Sequence, residues 1–190
     1  MNVALRKPMT LAEFLAWEER QELRCEFDGV HTFAMTGGTF DHDEITSNLR
    51  QALRTRLAGK PCRPFGPNVK IIAAGSVRYP DVGVTCSPIA SSATIIENPV
   101  VVFEVISEGS ARTDRIDKVR EYQATPSIQR YVILEQTSIA ATVFARLGEL
   151  WTASALTEND TLPMPEIGIE LPIAECYLGL DLSAPTEAQA

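Results

Sequence analysis

Positive charge is scarce in this chain. Its 190 residues carry 17 Lys and Arg against 25 Asp and Glu, a formal net charge of −8, which taken globally argues against a nucleic-acid partner. Histidine is limited to two residues, tryptophan to two and cysteine to four (Cys25, Cys62, Cys86, Cys176). The cysteines are widely spaced with no CxxC pair, which argues against structural zinc and, with no secretory context, against a disulfide framework. No apolar run approaches transmembrane length, and the opening stretch MNVALRKPMT has no apolar signal core. A soluble, cytoplasmic protein is expected. No repeat or low-complexity stretch is present, and 45% hydrophobic with 22% charged residues matches an ordinary globular chain, not a disordered or collagen-like one. A chain of this length buries roughly 70% of its unfolded surface, so its core needs no metal or disulfide staple. One domain over residues 1–182 is expected, followed by a frayed acidic tail at 183–190.

The charge is unevenly spread along the chain, however. Residues 1–44 hold four basic and nine acidic groups, residues 45–130 twelve basic and seven acidic, and residues 131–190 one basic and nine acidic. Binding responds to the local field, so the basic middle segment permits an anionic partner without requiring one.

Thr10 and Glu13 read as a capping box opening a short helix over LAEFLAWEER. Residues 24–27 and 30–35, joined through Asp28-Gly29, read as a β-hairpin. Asp41 and Glu44 form a second cap-like pair before a helix with the apolar face Ile45, Leu49, Ala52, Leu53 and Leu57, ended by Gly59 and Pro61. Strands are expected at 69–73, 82–86 and 100–106, then a helix over 114–124. Three further strands at 130–135, 141–145 and 150–155 read as a meander, and the stretch after them is rich in proline and acid. The pattern predicts a mixed α/β or α+β fold around one sheet.

Glu104 is the most informative residue. It interrupts VVVFEVI, a run that otherwise reads as a strand buried on both faces, and by alternation it points the same way as Val102 and Ile106. A carboxylate there needs a cation, a hydrogen-bond network or an edge position. Asp81, in Tyr79-Pro80-Asp81-Val82, begins a second strand or simply sits in a turn. Two such carboxylates, with a main-chain carbonyl such as that of Val105, would make an oxygen-rich site for Mg²⁺ or Mn²⁺. Asp114, Lys118 and Tyr122 share one helical stripe, with Ile116 and Val119 on another facing the core; the plain reading of Asp114 and Lys118 is a surface ion pair. Trp17 and Trp151 read as packing residues.

Together these stretches resemble the Uma-type family of restriction-endonuclease-like proteins, within the PD-(D/E)XK nuclease superfamily. The likeness is carried by Glu26-Phe27-Asp28-Gly29, His42, Tyr79 to Val82, Glu104 to Ser107, Asp114…Lys118…Tyr122, and Pro126-Ser127…Arg130-Tyr131-Val132, in that order, and covers about residues 9 to 182. It implies a restriction-endonuclease-like domain: a central mixed sheet flanked by helices, with an N-terminal hairpin and a C-terminal meander. It further implies a divalent metal held by Asp81 and Glu104, with Glu26 as a further acidic partner. The superfamily's lysine is expected two residues after the glutamate, where this chain has Ile106; Lys118 on the next helix supplies the amine instead. His42 either approaches the substrate phosphate, assists proton transfer, acts as a capping group, or supports a residue that holds the metal. Asp114 and Tyr122 would fix the direction of Lys118, and Arg50, Arg54 and Arg63 are candidates for phosphate contacts.

The resulting expectation is a Mg²⁺- or Mn²⁺-dependent DNA endonuclease using Asp81, Glu104 and Lys118. A homodimer is expected with it, because cutting both strands calls for two sites. The rival is a nuclease-fold binding or assembly module without turnover; a small-molecule phosphohydrolase is a third reading.

Overall fold

The computed structural model describes residues 9–35, 37–106 and 113–182; Ser107 of the family motif and the expected frayed tail at 183–190 lie outside the described residues. Helix α1 (Leu11–Glu18) begins as expected: the Thr10 hydroxyl accepts the Glu13 N–H, and the Glu13 carboxylate accepts the Thr10 N–H. Strands β1 (Cys25–Phe27) and β2 (Thr32–Ala34) form the expected hairpin, with Asp28 accepting the N–H groups of Val30 and His31 at 2.8 and 2.6 Å. Helix α2 (Phe40–Arg56) buries Ile45, Leu49, Ala52 and Leu53. Its cap differs from the Asp41–Glu44 expectation. Thr39, in extended backbone, accepts the His42 N–H, while Asp41 is already helical and lies in the first turn, where a carboxylate favours the helix N-terminus without capping it.

The described residues form three sheets, two of them large, where the sequence pattern predicts one. The larger contains β3 (Arg63–Phe65), β6 (Val82–Thr85), β8 (Pro99–Val105), β9 (Arg130–Leu134), β10 (Ala140–Leu147) and β11 (Leu150–Thr157), in the order β11-β10-β9-β8-β6-β3. β9, β10 and β11 are the expected meander, whereas β8 and β9 run parallel. Parallel neighbours need a crossover, here a π-helical turn (Thr113–Asp117) leading into α3 (Lys118–Ala124). The smaller sheet joins the hairpin to β4 (Lys70–Ala73), β5 (Ser76–Arg78) and β7 (Ile95–Ile96), in the order β2-β1-β5-β4-β7. The architecture is mixed α+β.

One face of the larger sheet, through Val82, Val84, Val101, Phe103 and Val132, packs on α2. The other, through Val102, Ile106, Tyr131 and Ile133, packs on Phe65, Ile71 and Tyr122. The acid- and proline-rich stretch is no loose tail: β12 (Thr161–Met164) and β13 (Ile169–Pro172) pair, a 3₁₀ helix (Ile173–Tyr177) follows, and Leu162, Met164, Leu171 and Cys176 complete the α2-side core. Short strands with one residue in two facing inward carry too little apolar signal to be read locally. Among the described residues no helix is long and apolar enough to cross a membrane.

Two details of β3 and β6 depend on their pairing. Arg63 stands opposite Thr85, so the flanking Cys62 and Cys86 meet and form a disulfide across 24 residues, against the sequence expectation of none. Cys25 and Cys176 are free and buried. Phe65 stands opposite Gly83, and a Cβ at position 83 would come within 2.2 Å of the Phe65 ring. Gly83→Ala is therefore expected to destabilise the fold by about 1–3 kcal/mol through overpacking, measured by denaturant unfolding; Gly83→Ala with Phe65→Leu should recover part of the loss.

Candidate active site

Strand alternation and one cross-strand register assemble the two acids. Glu104 shares its face of β8 with Val102 and Ile106, on the side away from α2. Val82 pairs with Phe103 in the antiparallel β6–β8 ladder, so one step further Asp81 comes opposite Glu104. Asp81 Oδ2 accepts the Val105 N–H at 2.7 Å and lies 3.2 Å from His42 Nε2. Val105 thus engages the site through its amide, and it lines the same cavity. Asp81 and Glu104 line one cavity of about 360 Å³ together with Glu26, His42, Arg78, Asp114 and Lys118.

Lys118 is not on the surface. It is 6% exposed, and its Nζ lies 2.8 Å from Glu104, 2.9 Å from Asp114 and 3.8 Å from Glu26. The plain reading of an exposed Asp114–Lys118 pair is overturned, and so is half of the stripe assignment: Asp114 is 1% exposed while Ile116 is 42% exposed. Val119 does pack against the core. The inversion follows from what lies beneath the helix. Glu104 on the sheet supplies a buried counter-charge that draws the polar stripe inward, and the wide π turn presents Asp114 on the same side. Tyr122, fully buried, donates its hydroxyl to Glu104 at 3.0 Å, and the Tyr131 hydroxyl donates to the Asp114 carbonyl at 3.0 Å.

Two residues that no sequence pattern singles out, Arg78 and Glu121, complete the network. Arg78, 1% exposed, donates through Nε and Nη2 to Glu121 at 2.7 Å and through Nη1 to Glu26 at 3.0 Å. Nothing local marks them, because β5, β1 and α3 meet only in the folded chain. Conversely, Arg50, Arg54 and Arg63 do not line the cavity. Arg50 is half-buried with its Nε enclosed, while Arg54 and Arg63 are exposed. His42 contacts Asp81, so its capping role belongs to its backbone and its ring belongs to the site. Trp17 packs beside Phe14 and Trp151 beneath Arg146, as expected for packing residues.

Residues 11–174 match the model of the Uma2 family, described as "Putative restriction endonuclease". The chain belongs to the Uma2 family. The uncharacterized protein slr1290 of Synechocystis sp. is 31% identical over 172 residues, covering 88% of this chain and 90% of the relative. A second protein of that organism, the uncharacterized sll1609, is 27% identical over 154 residues, covering 78% and 87%. In fold, the chain is similar to a crystal structure from Anabaena variabilis described as a putative nuclease belonging to DUF820, with a TM-score of 0.74, 16% identity, and coverage of 90% of this chain and 98% of that one. That likeness establishes the restriction-endonuclease-like fold.

In this Uma2 chain the electrostatics of the site are dominated by burial and by excess acid. Burial raises the Glu104 carboxyl well above the usual carboxylate range; Lys118 opposes the rise, and Asp81, Asp114 and Glu26 add to it. Burial pulls the Lys118 pKa down, but Glu104, Glu26 and Asp114 outweigh burial and hold it as an ammonium. The hydrogen bond to Asp81 raises His42 above its ordinary value, and burial only partly offsets this. Burial also drives the Tyr122 hydroxyl upward, so it remains a donor to Glu104.

The donor set suits a hard divalent cation, with six carboxylates (Glu26, Asp28, Asp81, Glu104, Asp114, Asp117) around one cavity and its two full cations, Arg78 and Lys118, already paired. Among the described residues no three His, Cys, Asp or Glu side chains converge as a ready metal cage. Mg²⁺ does not demand one, since it is commonly held through one or two carboxylates with water and substrate oxygens completing the shell.

Proposed function

We propose that this Uma2 protein is a metal-dependent phosphodiester hydrolase that cuts DNA internally, with Asp81 and Glu104 as the ligands of Mg²⁺ or Mn²⁺. The reading is carried by one observation: Asp81, Glu104 and Lys118, brought from two strands and the following helix, line the same cavity. A divalent cation, when bound, polarises a phosphodiester and lowers the pKa of an attacking water. Lys118, held protonated, donates from Nζ to a non-bridging phosphate oxygen and offsets the negative charge that builds up there. Asp114 and Tyr122 hold Lys118 and Glu104 in place, and His42 fixes the direction of the Asp81 carboxylate from its Nε2 side. A homodimer would supply two such sites, one for each strand of a duplex.

The reading without turnover has one specific support. The Lys118 ammonium already sits on Glu104, the carboxylate that would bind metal. A nuclease assay on purified protein with Mg²⁺ or Mn²⁺, run beside a variant lacking the Asp81 carboxylate, separates the two: metal-dependent cleavage lost in the variant supports the enzyme, and equal background in both supports the binding module.

The raised Glu104 carboxyl sets the expected pH dependence. In metal-free protein the native state holds the Glu104 proton to higher pH than the unfolded chain, which releases it at about pH 4.3, the ordinary value. Stability from this group is therefore complete below that pH and is lost as pH rises towards the raised native value. Metal must displace that proton. The rise in melting temperature on adding millimolar Mg²⁺ or Mn²⁺ should thus be small near pH 5 and grow with pH. A shift independent of pH, or none, would count against Glu104 as a ligand.

A further inference from the structure

Lys118 comes from a helix and not from the Glu104 strand, so its placement depends on what ties that helix to the sheets. Arg78 at the end of β5 supplies such a tie. It grips the Glu121 carboxylate through Nε and Nη2, both at 2.7 Å, and Glu121 lies one turn beyond Lys118 on α3. The remaining arm, Nη1, takes Glu26 Oε2 at 3.0 Å, while Glu26 Oε1 accepts the Tyr79 N–H at 3.0 Å. With both oxygens engaged, Glu26 stays 3.8 Å from the Lys118 ammonium, whereas Glu104 and Asp114 close to 2.8 and 2.9 Å. A guanidinium can hold one carboxylate by two arms and a second by its third; a lysine cannot.

We propose that Arg78 is a positioning residue that anchors α3 through Glu121 and holds Glu26 back from Lys118, leaving the ammonium directed at the phosphate. Without the guanidinium, Glu26 carries a charge whose nearest cation is Lys118, and α3 loses the two-armed grip on Glu121, keeping from β5 the Ser76 hydroxyl at 2.8 Å. Lys118 is then locked by a third carboxylate and drifts with its helix. The effect on turnover rests on the nuclease reading; the placement of Lys118 does not.

The test compares Arg78→Lys and Glu121→Gln with Arg130→Met, which breaks a different, largely buried ion pair, that with Glu166, neither of which lines the cavity. Folding is checked by circular dichroism. The readouts are kcat and KM on DNA with Mn²⁺, and the ¹⁵N–¹H NMR signal of the Lys118 ammonium. Arg78→Lys and Glu121→Gln are expected to lower kcat by about tenfold or more with KM changed less than about threefold, the pattern of a group acting on the transition state, and to move the Lys118 signal. Guanidinium ion added to Arg78→Ala should restore part of the rate. Arg130→Met should lower the melting temperature and move neither kcat nor the signal. Folded Arg78 and Glu121 variants with an unmoved Lys118 signal overturn the proposal. If wild-type protein cuts no DNA with either metal, the nuclease reading fails, and the NMR comparison still decides the role of Arg78.

Discussion

Asp81→Asn is expected to reduce DNA cleavage by about 10³-fold or more, on the basis that a metal site supplies several kcal/mol of transition-state stabilisation, while melting close to wild type. The asparagine amide keeps an oxygen for the Val105 N–H, which Asp81 now receives at 2.7 Å, and it removes one of the charges that burden Glu104. Asp81→Ala should lose activity equally but also lose about 1–3 kcal/mol of stability, because a buried N–H is left without an acceptor. The pair of variants thus separates charge from hydrogen bonding. A further readout is His42. Its raised pKa depends first on the bond to Asp81, so its NMR titration should fall towards the ordinary histidine value in Asp81→Asn. The matching contribution to stability, complete below about pH 6.5 in wild type and lost as pH rises through the raised value, should vanish with it. Full activity in Asp81→Asn would end the assignment of Asp81 as a metal ligand.

Lys118→Met is expected to cost both turnover and fold. From sequence, this substitution removes a charge and keeps the aliphatic bulk, so folding is expected to survive and turnover to drop. In the structure the ammonium is 6% exposed and faces three carboxylates within 4 Å. Removing one partner of a buried pair typically costs about 3–5 kcal/mol, because the other charge is left uncompensated. Turnover should fall by about 10²-fold or more through loss of electrostatic stabilisation. The two losses are separable. Mg²⁺ or Mn²⁺ should restore much of the stability of Lys118→Met by supplying positive charge to the same carboxylates, but should not restore the rate. Denaturant unfolding with and without metal, beside single-turnover cleavage, checks both. A variant as stable as wild type without metal would mean that Glu104 takes up a proton in place of its lost partner.

The local part of this protein was legible in its sequence. The capping box at Thr10, the hairpin at Asp28-Gly29, the meander after residue 130 and the direction of Glu104 all follow from periodicities of two or 3.6 residues and from short-range hydrogen bonds, which act within a few positions of the chain. The order of short motifs also carried the family. What only the tertiary structure decided are the contacts across sheets. These are the convergence of Asp81 with Glu104 through the β6–β8 register, the Cys62–Cys86 disulfide through the β3–β6 register, and the clamp of Arg78 on Glu26 and Glu121. The helix stripe shows the reason most clearly. Hydrophobic patterning places Ile116 inside and Lys118 outside, and the structure does the reverse, because a buried carboxylate on the neighbouring strand makes an ammonium the better partner for that surface than a methyl group. Which face of a helix is buried is set by what it meets, and that partner lies in another part of the chain.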